Sequence, residues 1–322
     1  PPPLFQAEDG IRDTNSGLVG SEMCIRDRSY LRAVTVLVLM SPAYSAHTQD
    51  LEPRAYTNTP VGMNFLLVGY QYSQGGLLFD PAVPITDADA NVNLGLLGYV
   101  HALAIADKSA KVGVLLPFAG LDATGYVEGV FRTREDQGLA DPAFYFTINL
   151  YGAPALSFEE FKDYEQDTII GLAFKLTAPL GVYENDRLLN IGTNRWSFKT
   201  EIGISQALGR LTLEAAAAAT LYSENDDFDT GKTRQQAHLE SVQGHVVYSF
   251  PRNIWASVGA TYYAGGRTTI DGVTRNDLQQ NWRTGFTVAF PLNRHHSIKL
   301  FGNSGVSTRT GTDYDSLGIA WQ

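Results

Sequence analysis

A single cysteine, Cys24, stands among 322 residues, so neither a disulfide framework nor a cysteine-based zinc site can be built. Bases are scarce as well. The 24 Lys and Arg against 34 Asp and Glu leave a formal charge of −10, which argues against nucleic acid as a partner, because phosphate binding relies on basic clusters. No apolar run reaches the length of a membrane-spanning helix and the mean hydropathy is −0.13, which excludes a helical membrane protein. Strands that alternate polar and apolar residues also average to near neutrality, so a membrane barrel stays open. With 44% apolar residues and 11% aromatics, the chain is not a disordered one.

Residues 1–28 show neither helical nor strand periodicity and look like translated sequencing-adapter read-through, with AEDGIRD and SGLVGSEMCIRD as its fragments. They are set aside from fold reasoning, as a fusion scar would be. Residues 29–46 read as a secretory signal peptide: Arg32, an apolar stretch from Ala33 to Met40, then Pro42 and the small residues Ala43, Ser45 and Ala46. The apolar stretch is too short to span a bilayer. Residues 47–322 would then form the folded domain. Lacking cysteine, that domain needs a stabilising device other than disulfides, and closing a large sheet is one.

From Gly62 onward one pattern recurs. In Trp196–Ser205 the residues Trp196, Phe198, Thr200, Ile202 and Ile204 share one face, and Ser197, Lys199, Glu201, Gly203 and Ser205 share the other. A period of two is the signature of a strand. The spacing predicts an all-β fold of twelve strands, near 63–73, 92–104, 110–118, 141–152, 167–178, 195–207, 210–222, 237–250, 253–264, 281–291, 295–306 and 313–322. Ala123 to Arg134 reads as an external hairpin, which would raise the total to fourteen if counted separately. Connections after even-numbered strands are mostly short and those after odd-numbered strands mostly long. That alternation is expected of a transmembrane antiparallel barrel with both termini on the inner side.

Two connections depart from it. The stretch 153–166 is long where a short turn is expected and could start a short helix capped by Ser157, and the loop after the eleventh strand is short. The run Ala215–Ala219 favours helix by propensity, but its flanks Leu211 to Leu213 and Thr220 to Tyr222 favour a strand. Trp196, Tyr222, Tyr248, Phe250, Trp282 and Phe290 fall near strand ends, where an interfacial girdle would sit.

On such a barrel the charged face turns inward, which places His101, Lys111, Lys175, Lys199, Glu201, Glu214, Arg283 and Lys299 in the lumen. Lys175, Lys199, Glu201, Glu214, Arg283 and Lys299 are the main candidates. They could set the selectivity of a water-filled pore, or form a salt-bridged plug in a narrow interior. Asn190, Gly192, Asn194 and Arg195 sit where a long loop re-enters a strand, and Gly265, Gly266 and Arg267 occupy a similar position. Both groups could touch a ligand or headgroup, or brace the loops over the barrel. Asp226, Asp227 and Asp229, or Asp87 with Asp89, lack a calcium-loop spacing and read as solvated acids, so neither a metal nor a cofactor is expected. An outer-membrane lipase would need a serine–histidine pair on the outer wall. His245 lies on the polar face, and no serine sits in a nucleophile context, so an enzyme is not expected.

Several strings resemble the outer-membrane barrel family called MetA-pathway of phenol degradation. They are Asn190 to Trp196, Asn225 to Phe228, Tyr262 to Thr269 and Leu317 to Gln322, with Phe79 to Ala82 and Gly152 to Leu156. The resemblance implies an outer-membrane channel or transporter in a Gram-negative bacterium, with small hydrophobic or aromatic molecules as solutes and no catalytic residues. Outer-membrane lipid and the barrel-assembly machinery would be its other partners. The alternative is a structural or surface-interaction barrel without transport.

Overall fold

The computed structural model describes residues 53–78, 85–127, 129–187 and 189–322. The stretches read as adapter and signal peptide, and the string Phe79 to Ala82, lie outside the described residues. The strands are β1 (Asn64–Leu78), β2 (Ile85–Ile105), β3 (Lys108–Val127), β4 (Val130–Leu139), β5 (Ala143–Tyr151), β6 (Thr168–Thr177), β7 (Ser197–Leu208) and β8 (Leu211–Tyr222). They continue with β9 (Asn225–Phe228), β10 (Lys232–Gln236), β11 (Leu239–Ser249), β12 (Trp255–Gly265), β13 (Thr268–Ile270), β14 (Val273–Thr274), β15 (Gln279–Pro291), β16 (Ser297–Ser307) and β17 (Gly311–Trp321).

Twelve of these close a ring in the order β1, β2, β3, β5, β6, β7, β8, β11, β12, β15, β16, β17, and β17 pairs back onto β1. All neighbours are antiparallel, and closure removes the unpaired edges that an open sheet would present. The polyalanine run is the middle of β8, where Ala215–Ala219 pair with Ile204–Thr200 of β7. Short turns gather at one rim. In the β2–β3 turn Ala106 and Asp107 both take positive φ, 47° and 60°, the mirror-image turn that suits twisted hairpins.

Strand lengths are unequal. A membrane-crossing strand needs about 9–11 residues. β5 has 9 and β6 has 10, whereas β2 has 21 and β3 has 20, so β2 and β3 project past the long-loop rim. The far half of β3, Phe118 to Val127, pairs with the extra strand β4, while its near half, Ala110 to Leu115, pairs with β5. This is the hairpin predicted around Ala123 to Arg134. Above the same rim β9, β10, β13 and β14 form a second, four-stranded sheet from two long loops.

The connection between β5 and β6 does carry a helical turn, but a 3₁₀ one at Glu160–Asp163. Ser157 N donates to Glu160 Oε2 (2.8 Å) and Glu160 N donates to Ser157 Oγ (3.3 Å), the reciprocal box read from the sequence. The hydrogen bonds from Ser157 hold the Glu160 carboxyl below its ordinary pKa. No second turn follows, because Tyr164 is extended and its hydroxyl donates to Gly152 O at 2.7 Å.

The alternation sorts the side chains as expected. On β7 the odd-numbered Lys199, Glu201 and Ser205 are buried inside, and the even-numbered Phe198, Ile202 and Ile204 are exposed outside. Ile202 is 53% exposed, Val258 61% and Leu317 62%, an oily outer surface that suits lipid. Trp196, Tyr248, Phe250, Trp282 and Phe290 are exposed as girdle residues would be, with Tyr248 edge-on to Phe250 at 4.7 Å and Trp282 against Tyr262 at 4.9 Å.

Two residues fall on the opposite face from the one expected. His101 is on the outer face of β2, where its Nδ1 lies 2.8 Å from Asn64 Oδ1, and not in the lumen. β2 is apolar on both faces, so charge alone gave its sidedness wrongly. Tyr222 belongs to the inner face of β8, beneath the guanidinium of Arg195 at 4.4 Å, and not to the girdle.

Candidate functional site

The alternation lines a lumen, and among the described residues the chain covers it from both rims. At the short-turn rim, the segment before β1 turns up into the ring. Tyr56 is 3% exposed and its hydroxyl donates to Glu201 Oε1 at 2.7 Å. Its ring lies flat against Gly171 and Gly203, where a Cβ would come within 2.4 and 2.2 Å of it. Those glycines leave the wall hollow at that place, which is what a glycine inside a strand often marks.

The segment's backbone is held by wall side chains. Lys111 Nζ donates to Ala55 O and Thr57 O, both at 3.0 Å, and Asn149 Nδ2 donates to Tyr56 O at 3.0 Å. Glu214 Oε2 accepts Arg54 N at 2.8 Å, and the Arg54 guanidinium rests over the Trp255 ring at 5.5 Å. Asn58 Nδ2 donates to Pro154 O at 3.1 Å, which ties the segment to the β5–β6 connection.

The lumen wall has two characters. β1, β2 and β3 turn the apolar Phe65, Leu67, Leu94, Leu96, Val100 and Leu115 inward, alongside the polar Gln71 and Ser73 of β1 and Lys111 of β3. The strands from β5 to β16 turn polar and charged ones inward. Lys199 and Glu201 form a buried ion pair at 2.9 Å, with Tyr56 completing the contact. Glu214 also accepts from Ser205 Oγ at 3.1 Å. Lys175 Nζ sits 5.7 Å above the Tyr145 ring. Arg283 and Lys299 are buried on the inner face of β15 and β16, across the ring from β6 and β7. All six charged candidates therefore face inward, and the structure joins Lys199, Glu201 and Glu214 into the seat of the Tyr56 segment.

At the other rim the loop between β6 and β7 folds over the mouth. Leu189 and Ile191 pack against Ala90, Leu121, Ala123 and Tyr314 on the inner wall. Asp141 ties the two ends of this loop together: Oδ1 accepts Gly181 N (2.9 Å), and Oδ2 accepts Thr193 N (2.8 Å) and Thr193 Oγ1 (2.6 Å). Asn190 Oδ1 accepts Glu184 N, and Asn190 Nδ2 donates to the carbonyls of Glu184 and Arg187. Hydrogen bonding from Arg187, helped by Arg134, holds the Glu184 carboxyl below its usual range. At Gly192 a Cβ would stand 2.8 Å from the Gly181 carbonyl carbon, so only glycine lets these strands of loop meet.

Asn194 takes positive φ (51°) and donates to Asn225 Oδ1 at 3.0 Å. Arg195 donates to Gln236 Oε1 at 2.5 Å, and its burial lowers the guanidinium pKa from its ordinary value. Gly265 and Gly266 take φ of 110° and 68°, and Gly266 N donates to His238 O at 2.9 Å. The Arg267 carbonyl accepts Ala237 N at 2.9 Å, while its side chain is exposed. In this structure the loop candidates hold loops to one another.

Since bonds to a charged acceptor contribute about 1.5–3 kcal/mol each, Asp141→Ala is expected to free the loop from β6 to β7. Limited trypsin digestion of the folded barrel should then cut after Arg187 at least roughly ten times faster, because cleavage follows the open population. An unchanged rate would mean that Leu189 and Ile191 hold the loop without Asp141.

His245 lies inside, with its ring against Gly259, and is not part of an outer-wall serine–histidine pair. Asp227 accepts Asn185 Nδ2 (2.9 Å) and Asp229 accepts Lys232 Nζ (2.5 Å), so both are engaged in loop contacts. Among the described residues no group of three or more His, Cys, Asp or Glu is placed to hold a metal ion. Arg54 and Tyr56 carry no signal in the sequence, because a stretch before the first strand has no alternation. The glycines at 171 and 203, in otherwise regular strands, were the available signal.

Three solved structures give the context. The COG4313 outer membrane channel from Pseudomonas putida F1 is 21% identical, with a TM-score of 0.69, 84% of this chain and 98% of that chain being covered. The beta domain of the Bordetella autotransporter BrkA (10% identical, TM-score 0.46, 80% and 97% covered) and the transport unit of the Escherichia coli autotransporter AIDA-I (11%, 0.46, 91% and 97%) are more distant. The first shares this fold. No curated protein matches the chain. A family model described as the MetA-pathway of phenol degradation matches residues 72–321.

Proposed function

Because the chain belongs to the family of that model, the MetA-pathway of phenol degradation, we propose that it is an outer-membrane channel of a Gram-negative bacterium that passes small hydrophobic or aromatic solutes. The short-turn rim then faces the periplasm and the long-loop rim the outside. The observation that carries this reading is the leucine patch on the inner wall of β1–β3. A barrel that passes only water-soluble solutes has a polar interior. Here Leu67, Leu94, Leu96 and Leu115 cover one side of the passage with hydrocarbon, which lowers the cost of bringing an apolar ring out of water and into the lumen. The aromatic solutes suggested by the family's name fit that surface.

The polar wall opposite keeps the passage wet enough for a solute to leave again. The Tyr56 segment closes the inner end and the loop carrying Leu189 and Ile191 narrows the outer mouth, so passage requires the Tyr56 segment to move. The test is uptake of radiolabelled phenol by cells with and without the protein. Faster protein-dependent uptake is expected, and equal rates would withdraw the transport reading.

A further inference from the structure

We infer that the short-turn rim carries an arc that binds the headgroups of anionic phospholipids, built on Arg210, Arg252 and Arg294. The inference goes beyond the channel reading and takes from it only the side of the membrane that this rim faces. One three-residue pattern recurs on three hairpins: Leu208, Gly209 and Arg210 between β7 and β8, Phe250, Pro251 and Arg252 between β11 and β12, and Leu292, Asn293 and Arg294 between β15 and β16. In each, a large apolar residue is followed by a turn former and then by arginine. The six strands are neighbours in the ring, so the three turns occupy one unbroken stretch of the rim. Backbone contacts hold them in place. Ser249 N donates to Arg210 O at 2.8 Å, which joins the first turn to the second hairpin, and Asn293 Oδ1 accepts the amides of His295 and His296 at 2.8 and 3.0 Å.

Each apolar member marks where hydrocarbon ends. Leu208, Phe250 and Leu292 are 54%, 45% and 63% exposed and continue the lipid-facing parity of their strands. Two residues on, at about 3.3 Å each, the arginine lies within about 7 Å of that edge. The headgroup layer is about 5–7 Å deep on each side of a bilayer, so the guanidinium groups fall at the level of the lipid phosphates. All three arginines are exposed, and their planar forks match phosphate oxygens in pairs. A soluble acidic partner would meet the arginines without needing the apolar residues beside them. A lipid meets both.

Elsewhere on the rim the sign reverses. The connection between β5 and β6 exposes Glu159, Glu160, Asp163, Glu165 and Asp167 against Lys162, and the β2–β3 turn sets Asp107 beside Lys108. The three arginine turns contain no acid. Anionic headgroups are therefore drawn to the side from β7 to β16 and kept from the side of β5 and β6. A basic residue beside an anionic leaflet strengthens attachment about fivefold, so three in one arc reach about a hundredfold.

The test is lipid retention by the full chain, reconstituted in vesicles of phosphatidylcholine with a minor share of phosphatidylglycerol, extracted gently in detergent and weighed by native mass spectrometry. Phosphatidylglycerol is expected to be held at least about tenfold above its share of the vesicle. Arg210→Gln, Arg252→Gln and Arg294→Gln together should abolish that excess, and lysine at the same three positions should keep most of it. Glutamine at Arg132, Arg267 and Arg309, three exposed arginines toward the long-loop rim, should leave it in place. Heat-modifiable mobility in a gel shows that each variant is folded. No excess in the parent, or equal retention by the parent and the first glutamine variant, would overturn the inference. Cleavage of the long loops by trypsin added to intact cells is scored separately. Uncut loops alongside retention that depends on the three arginines would count against the orientation of the channel and in favour of the lipid arc.

Discussion

Replacing Tyr56 is expected to turn a mostly closed barrel into a conducting one. The hydroxyl of Tyr56 donates to a charged acceptor, Glu201, and such bonds contribute about 1.5–3 kcal/mol. Tyr56→Phe should therefore raise the unseated population by a factor of about ten to a hundred, at 1.4 kcal/mol for each factor of ten. Tyr56→Ala should raise it further, because the ring's contacts with Gly171 and Gly203 are lost as well. Gly203→Val reaches the same end from the wall side, since even the first carbon of the new side chain would lie 2.2 Å from the Tyr56 ring. Recordings in planar bilayers should show longer or more frequent openings for all three variants than for the parent. If Tyr56→Ala and Gly203→Val gate as the parent does, the segment is not the inner closure.

The second large effect concerns the outside of the wall. Ile202 sits midway along β7 and is turned outward, next to the inward Glu201. A charged residue on the lipid face near the membrane midplane costs about 2–4 kcal/mol. Ile202→Arg should lower the stability of the folded barrel in lipid vesicles by that amount, read as a shift of the urea midpoint in a gel assay of heat-modifiable mobility. Lys175→Gln, one strand away and facing inward, should leave the midpoint close to that of the parent. Equal midpoints for Ile202→Arg and the parent would mean that β7 does not present this face to lipid.

The twelve wall strands were legible in the sequence wherever one face was charged, because a period of two cannot be hidden there. Trp196 to Ser205 gave both the strand and its sidedness. β2 did not, since Leu97 and Tyr99 outside and Leu94, Leu96 and Val100 inside leave the two faces equally apolar, and His101 was sided wrongly for that reason. Tyr222 was misplaced because an aromatic at a strand end suits an interfacial girdle as well as it suits a guanidinium partner. The six charged candidates could be assigned to the inner face from parity alone. Their grouping could not. The contact of Tyr56 with Glu201 joins residues 145 positions apart, and nothing local announces it. Asn194 bonds to Asn225 well along the chain, and Asp141 ties Gly181 to Thr193, whereas Asn190 closes a local turn on Glu184 and Arg187.

The ring is sealed where the first wall strand meets the last. Each other wall strand pairs with the next one along the chain, apart from short detours through β4, β9, β10, β13 and β14, so most of the cylinder can zip up hairpin by hairpin. Only the β1–β17 seam must find a partner across the full length of the domain, and the entropic cost of that search grows slowly with distance. Until it closes, a twelve-strand sheet would carry the bare edges of β1 and β17 into hydrocarbon, where an unpaired amide costs several kcal/mol. Gly311–Trp321 thus work as the clasp of the molecule.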